Sequence, residues 1–411
     1  MLTRRGVGLL GAAGALWLVA RSFGVPEAQM AAVAGLVLIA FAVAFTAVTS
    51  TRLRLDRVVS PSTLWFDAPG SVVLTVTNAG RMPTAAIELL DAVPAGLADR
   101  PRARLEPIRP GGRVTVRYGL RGAQRGRFRI GPATVRLRDP FGLAVRTRTL
   151  EGTTEITVYP PVWRLPAGLP LGGASSSGGG GPTRLVPSGE DLADVREYVR
   201  GDDLRTVHWP STAHRGKIMV RQAESSLSPR AVVLLDVRAS RHTGNGPTAS
   251  IEMAVAAAAS AGYHLAARGR SVVLLDRPFT RPVPPMPWER WLQTLAATDT
   301  EDVDLPGLLH QIAQGSAGDG TIVAIVTTPD AAELRRLVRA GRGFSTRLAV
   351  VLDTASHRER PSAVPVSGDA LAAAGSLRAA GWRATVVKRG DRLDERWREL
   401  LSRPRATASA R

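Results

Sequence analysis

The sequence predicts a three-part chain: two transmembrane helices, a small β-sandwich-like domain, and an α/β region built as a doubly wound parallel sheet. Three observations predict it. Two long apolar runs lie within the first fifty residues. Residues 52–160 alternate apolar and polar side chains between turn signals, the period of half-buried strands. From residue 231 onward, short apolar runs alternate with helical patterns, the rhythm of strand–helix–strand units. The expected divisions are a hairpin over 1–51, the β-domain over 52–160, a Gly/Ser/Pro-rich linker over 161–186, a charged motif over 187–230 and the α/β region over 231–411.

At 411 residues the chain is long enough for two soluble domains besides the apolar start. Its formal charge is +19, and Lys217 and Lys388 are the only lysines, so the excess is arginine. That arginine is spread along the whole chain beside abundant Ala and Gly. Such a distribution reads as base-composition bias; a nucleic-acid ligand would call for a basic block or a recognised motif. No specific nucleic acid is expected. The absence of cysteine excludes disulfides, thiol nucleophiles and Cys-ligated zinc.

The first apolar run covers 6–20 and lengthens through Phe23 if Arg21 snorkels toward the headgroups. The second covers 28–50, about 23 residues or roughly 34 Å of helix, enough to cross a bilayer. A cleaved signal peptide competes for the first run, but no small-x-small cleavage site precedes the second, which favours a hairpin. Arg4 and Arg5 precede the first helix, and Arg52, Arg54 and Arg57 follow the second. Positive flanks stay inside, so the expected location is the inner (cytoplasmic) membrane, multi-pass, with the soluble domains in the cytoplasm.

In the β-domain Val72, Leu74 and Val76 share one face of a strand, and Val114, Val116 and Tyr118 share another. The turns lie at Asn78-Ala-Gly80, Pro94-Ala-Gly96, Pro110-Gly-Gly112 and Arg125-Gly126. Asp139-Pro-Phe-Gly-Leu143 is a further compact turn in which Phe141 is expected to plug the sandwich edge. A spacer domain is favoured over a partner-docking surface. The tract 172–182, GGASSSGGGGP, is a flexible linker and not a phosphate loop, since no Gly-Lys-Ser/Thr follows it.

Residues 188–221 are the densest in charged and aromatic side chains. Ser188 and Asp191 have the spacing of a helix start, and Leu192, Val195 and Val199 recur at helical intervals, predicting a helix that Gly201 ends. A turn over 211–215 is closed by Gly216, and 217–221 reads as a strand. Asp202 and Asp203 with His208 invite a hydrolase reading, a carboxylate pair beside a general base. The competing reading is a buried polar network in which Arg196, Arg205 and Arg215 neutralise Glu190, Asp202 and Asp203. Adjacent carboxylates point apart in extended chain and are common as caps, which favours the network. No Gly-x-Ser-x-Gly elbow or His-Glu-x-x-His motif is present, so no catalysis is expected.

The run Gly189-Glu190, Arg196-Glu-Tyr198, Gly201-Asp-Asp-Leu-Arg205, His208-Trp209 and Gly216-Lys-Ile-Met-Val220, followed by an apolar strand with Asp236, resembles the domain of unknown function 58 family. The resemblance is closest over 187–240. The order of hairpin, β-domain with its Asp-Pro-Phe-Gly turn, and α/β region is also similar to that family. The chain departs from it at Ala213-His214-Arg215, where the arginine comes one position late.

In the α/β region, strands are expected at 231–237, 271–275, 321–326, 348–352 and 384–387. Helices are expected at 251–267, 288–297, 305–314, 330–340, 368–380 and 393–402. The resemblance implies a von Willebrand factor A-like fold here. Its first strand normally ends in Asp-x-Ser-x-Ser, whose oxygens hold a magnesium-type ion. This chain has Asp236-Val-Arg238-Ala-Ser240, leaving Asp236 and Ser240 as a degenerate metal site, with Thr298 or Thr300 as a further hydroxyl. A guanidinium at position 238 would repel a divalent ion and could occupy the site by pairing with Asp236. Metal binding is therefore expected to be weak or absent.

The expected function is a membrane-tethered, non-catalytic adaptor or scaffold. Glu190, Arg196, Tyr198, Gly201, Asp202, Asp203, Arg205, His208 and Trp209 form its family-motif and partner-binding set. The resemblance implies a MoxR-type AAA+ ATPase as partner, often beside transglutaminase-like membrane proteins, in assembling envelope or metal-dependent complexes. The alternatives are the hydrolase, and arginine-driven binding to anionic lipid or nucleic acid.

Overall fold

The computed structural model describes residues 1–49, 52–98, 101–168, 195–197, 212, 216–221, 230–280, 283–315, 320–358 and 366–401. The chain divides into two compact units. One comprises Met1–Val162, Asn245–Ala259 and Glu289–Asp299; the other comprises Trp163–Gly244, Ser260–Trp288 and Thr300–Arg411.

The first unit begins with helix α1 (Arg4–Phe23) and helix α2 (Pro26–Thr49), both long and apolar enough to cross a membrane. Thr3 caps α1 by accepting from the Gly6 amide at 3.2 Å. Gly24 closes it in the left-handed conformation at φ 67°, and Pro26 opens α2 where a missing amide costs nothing. The buried residues of α1 are Gly6, Ala13 and Ala20, one every seventh position. Those of α2 include Ala32, Ile39 and Thr46, with Ala42 and Thr49 on the companion positions. This is a heptad seam of small residues, the pattern that lets two helix backbones approach closely. Gly35 shows how closely: a Cβ there would lie 3.4 Å from that of Ala13.

Ten strands follow: β1 (Leu53–Ser60), β2 (Thr63–Leu64), β3 (Pro69–Asn78), β4 (Ala86–Asp91), β5 (Arg102–Leu105), β6 (Arg113–Arg121), β7 (Gly126–Ile130), β8 (Ala133–Arg138), β9 (Val145–Leu150) and β10 (Thr154–Val158). Among the described residues they form three sheets, ordered β1-β3-β6, β2-β10-β7 and β5-β4-β8-β9. The two apolar faces read from the sequence meet in register, Val72 opposite Tyr118, Leu74 opposite Val116 and Val76 opposite Val114. One core joins the sheets, with Leu74, Ile87, Leu89, Ile130, Leu137 and Ile156 all buried. Phe45 of α2 packs against the same core.

The 139–143 turn differs from expectation in one respect. The turn is present, and Asp139 holds it, accepting from the Phe141 amide at 2.9 Å and the Ala144 amide at 2.5 Å. Phe141, however, is 52% exposed and plugs nothing. The space beside the turn is taken instead by the chain's own start. The Thr3 amide donates to the Leu143 carbonyl at 2.8 Å, and the Thr3 hydroxyl donates to the Gly142 carbonyl at 2.6 Å. Leu143 and Ala144 are buried in a small cluster with Ile39 and Ala42 of α2.

Arg125, read as a turn residue, is buried within the first unit. It pairs with Glu252 at 2.9 Å and donates to the carbonyls of Leu295 and Thr298 at 3.0 and 2.6 Å. These are carbonyls at the end of a helix over Trp288–Ala297, which a cation there satisfies.

In the second unit β11 (Val195–Glu197) pairs antiparallel with β12 (Met219–Arg221). At Val195–Glu197 this corrects the helix expected there; the rest of 188–200 lies outside the described residues. Three residues cannot distinguish a helical from a strand pattern, and β-branched Val195 suits the strand that a partner is present to complete. Strands β13 (Arg230–Leu235), β14 (Ser271–Leu275), β15 (Gly320–Thr327), β16 (Phe344–Leu352) and β17 (Arg383–Val387) form one parallel sheet. Their order is β14-β13-β15-β16-β17. In chain order these strands alternate with helices α3 (Ser250–Ala266) and α4 (Trp288–Ala297), most of whose residues belong to the first unit, and with α5 (Leu305–Gly315), α6 (Ala331–Ala340), α7 (Gly368–Ala379) and α8 (Leu393–Leu401) of the second. The order is that of a doubly wound sheet, in which the chain reverses direction beside its first strand. Leu234, Leu308, Leu337, Val351 and Trp382 fill its core.

Candidate functional site

The reversal point lies between β13 and β15, and ligands on such sheets bind outside the strand ends there. Asp236 stands one residue beyond β13, 1% exposed. Five donors converge on its carboxylate. Arg238 Nε and Nη2 approach the two oxygens at 2.9 and 2.8 Å, a bidentate pair, and the Arg238 amide adds a bond at 3.2 Å. The Thr327 hydroxyl at the end of β15 donates at 2.6 Å and its amide at 3.3 Å.

Arg238 is itself closed off. Its third nitrogen, Nη1, donates to Glu333 on α6. Glu333 also accepts from Arg241 at 3.2 Å. It belongs to a capping box with Asp330, whose side chain accepts from the amides of Ala332 and Glu333. The backbone around Arg238 is pinned as well: the Glu301 amide donates to the Val237 carbonyl at 2.8 Å, and the Ala239 amide to the Glu301 carbonyl at 2.9 Å. His242 Nε2 donates to the Asp236 carbonyl at 2.8 Å.

The electrostatics follow from this geometry. Burial by itself would raise the Asp236 carboxyl; hydrogen bonds and charge from Arg238, with the Thr327 hydroxyl, outweigh it and hold the group below its ordinary value. Burial opposes the charge on Arg238, and Asp236 and Glu333 together overcome it, holding the guanidinium more firmly protonated than usual. Burial lowers His242, which is therefore neutral at pH 7.

The residues do not fit a divalent cation. Both Asp236 oxygens are committed, a fixed positive charge lies across them, and Ser240 is exposed in the following turn. The Thr298 hydroxyl donates to the Thr294 carbonyl of its own helix. Among the described residues no cluster of three or more His, Asp or Glu could hold a metal.

Of the motif residues, Arg196 lies on β11, opposite Val220. Glu190, Tyr198, Gly201, Asp202, Asp203, Arg205, His208 and Trp209 lie outside the described residues. The Gly216 amide donates to the Thr212 carbonyl at 2.9 Å and Gly216 has φ 67°, while 211 and 213–215 of the expected turn lie outside the described residues. Sequence reasoning missed Thr327, Glu333 and Arg241 as partners of the Asp236 site. The Asp330-x-x-Glu333 spacing announced a helix start, and nothing in it announced the arginine.

A second polar centre lies inside the β-domain. Arg57 points into the sandwich and grips Asp91 through Nε at 3.2 Å and Nη2 at 2.6 Å, while Tyr118 donates to the same carboxylate at 2.6 Å. A cavity of about 530 Å³ opens beside it, lined by Leu74, Leu89, Leu97, Val116 and Tyr118. Burial and the Asp91 carboxylate push the Tyr118 phenol upward, so it stays a donor. With each charge answered, this centre is a structural tie between sheets.

Residues 194–298 match the model of a family described as a protein of unknown function, DUF58. No curated protein matches the chain significantly. Among solved structures, the chain is similar to the CARDB domain of the PF1109 protein from Pyrococcus furiosus, in complex with di-metal ions. That match has 17% identity and a TM-score of 0.20, and covers 26% of this chain and 87% of that one. A cohesin module of a family 33 glycoside hydrolase from Clostridium perfringens is similar at 13% identity and TM-score 0.21, covering 26% and 98%. Red sea bream transglutaminase is similar at 19% identity and TM-score 0.19, covering 27% and 15%.

Proposed function

We propose that the chain is a membrane-anchored, non-catalytic adaptor or scaffold whose soluble parts face the cytoplasm. In this reading it acts beside a MoxR-type AAA+ ATPase in the assembly or maturation of envelope or metal-dependent complexes. The observation that carries the reading is the clamp on Asp236. At the strand ends where a doubly wound enzyme would hold its ligand, the acid accepts from five donors of its own chain. A carboxylate so occupied is neither a general base nor a metal ligand. What it does supply is a rigid, charge-balanced framework beneath the strand ends, the property a docking module needs.

The doubly wound order with an acid after its first strand supports a von Willebrand factor A-like domain that recognises protein. Two apolar helices with arginine at their outer ends support the membrane anchor and the cytoplasmic side. The ATPase partner rests on the resemblance of residues 187–240.

Co-purification of the full chain with a MoxR-type AAA+ ATPase tests the reading. Trp209→Ala and Arg205→Ala are expected to weaken that capture. If neither did, and His208→Ala abolished function with folding and capture intact, the hydrolase would replace the adaptor. A reporter enzyme active only outside the cell, fused to the C-terminus, is expected to be silent; activity there would reverse the topology.

A further inference from the structure

We infer that the 139–143 turn of the β-domain sits in the membrane interface, with Phe141 buried at the boundary between headgroups and acyl chains. This rests on the reading of α1 and α2 as a membrane hairpin. Three observations fix the depth. A Cβ at Gly6 would lie 2.2 Å from the Leu143 carbonyl oxygen, so the turn touches α1 at Gly6. Leu143 and Ala144 pack with Ile39 and Ala42, so the turn touches α2 above its final two turns. Thr3 is hydrogen-bonded to the turn through both its amide and its hydroxyl.

The hairpin then serves as a ruler. From Gly6 to Phe23, α1 rises only about 26 Å at 1.5 Å per residue, against a hydrocarbon thickness of about 30 Å. With the tip at Gly24 at the far interface, the level of Gly6 lies at the near edge of the hydrocarbon. The turn, fixed at that level, meets the headgroups with Phe141 52% exposed. An exposed phenylalanine is costly in water and well placed at an interface. Arg4 and Arg5 before the turn's partner, and Arg138 and Arg146 beside the turn, are exposed cations at the same end, suited to anionic headgroups. The β-domain is thus held through its turn to both α1 and α2, and cannot swivel about a flexible stalk.

The chain has no cysteine, so one introduced thiol takes one nitroxide label. The full chain is placed in vesicles of phosphatidylcholine and phosphatidylglycerol with labels at Phe141→Cys, at Pro140→Cys, which keeps the phenylalanine, at Val37→Cys on α2, and at Phe66→Cys. Collision with oxygen, which concentrates in the bilayer, is compared with collision with a water-soluble nickel chelate. The expected oxygen-to-nickel ratio at 140 and 141 is several-fold above that at 66 and below that at 37. Labels at 140 and 141 as water-exposed as 66, with 37 still in lipid, would overturn this inference and leave the hairpin standing. Labels at 37, 140 and 141 all in water would overturn both.

Discussion

Arg238 lies across both carboxylate oxygens of Asp236, its Nε and Nη2 at 2.9 and 2.8 Å, and extends its remaining nitrogen to Glu333. Removing one member leaves a buried charge without its counter-ion. Arg238→Ala is expected to cost about 3–5 kcal/mol in urea unfolding, while Arg238→Met combined with Asp236→Asn recovers much of the loss. Arg238→Lys is expected to fall between, because an ammonium cannot bridge two oxygens in a plane. Isothermal titration with manganese is expected to show no micromolar site in the wild-type chain; a site removed by Asp236→Ala would contradict the clamp.

The same carboxyl makes the protein acid-sensitive. Its folded value lies below the ordinary 3.8, so its contribution is complete above that pH and disappears as pH falls through the folded value. Unfolding followed from pH 5 to pH 2 is expected to show this loss, and Asp236→Asn is expected to remove it.

His264 predicts a second and higher window. Its Nδ1 hydrogen-bonds to the Leu165 carbonyl at 3.1 Å, its ring meets Trp397 edge-on, and its buried Nε2 has no hydrogen-bond partner among the described residues. Burial, helped by the charge of Arg268, lowers it to about 4, while the bond to Leu165 works the other way. The unfolded chain therefore takes up a proton first, and stability falls as pH drops from about 6.5 toward 4. His264→Gln, scanned over that range, is expected to flatten this part of the profile.

Gly6 leaves no room for a side chain beneath the Leu143 carbonyl. Gly6→Val is expected to pry the turn from the hairpin, costing about 1–3 kcal/mol and opening the 139–145 segment to protease in detergent. Gly8→Val, where a Cβ meets nothing, is the control expected to behave as wild type.

Tyr118 donates to a carboxylate already held by Arg57. Tyr118→Phe is expected to cost about 1.5–3 kcal/mol by chemical denaturation.

The parts of this architecture set by local periodicity were legible in the sequence. The apolar runs gave both helices, and alternation at Val72, Leu74 and Val76 gave a core face whose register the structure pairs with Val114, Val116 and Tyr118. Asp236 was legible because it ends an apolar strand, and Arg238 because of where it stands beside that acid. Glu333 was not, since it lies 95 residues further along, in a stretch that read only as a helix over 330–340. Phe141 failed for a related reason. Its turn was readable from five residues, but what packs beside that turn is Thr3, 140 positions from Leu143 in the chain. Val195–Glu197 shows the limit of pattern alone, since only the distant Met219–Arg221 makes it a strand.

The bond between Thr3 and Leu143 also dictates an order of synthesis. Thr3 leaves the ribosome early, and the turn that receives it emerges only after both apolar helices and most of the β-domain have been made. Until then the start of α1 lacks its neighbour, and β9 lacks the backbone that Leu2 and Met1 lay against Ala144 and Val145. The last edge of the β-domain therefore depends on residues made at the very start of the chain, and it is complete only once the turn has met Thr3.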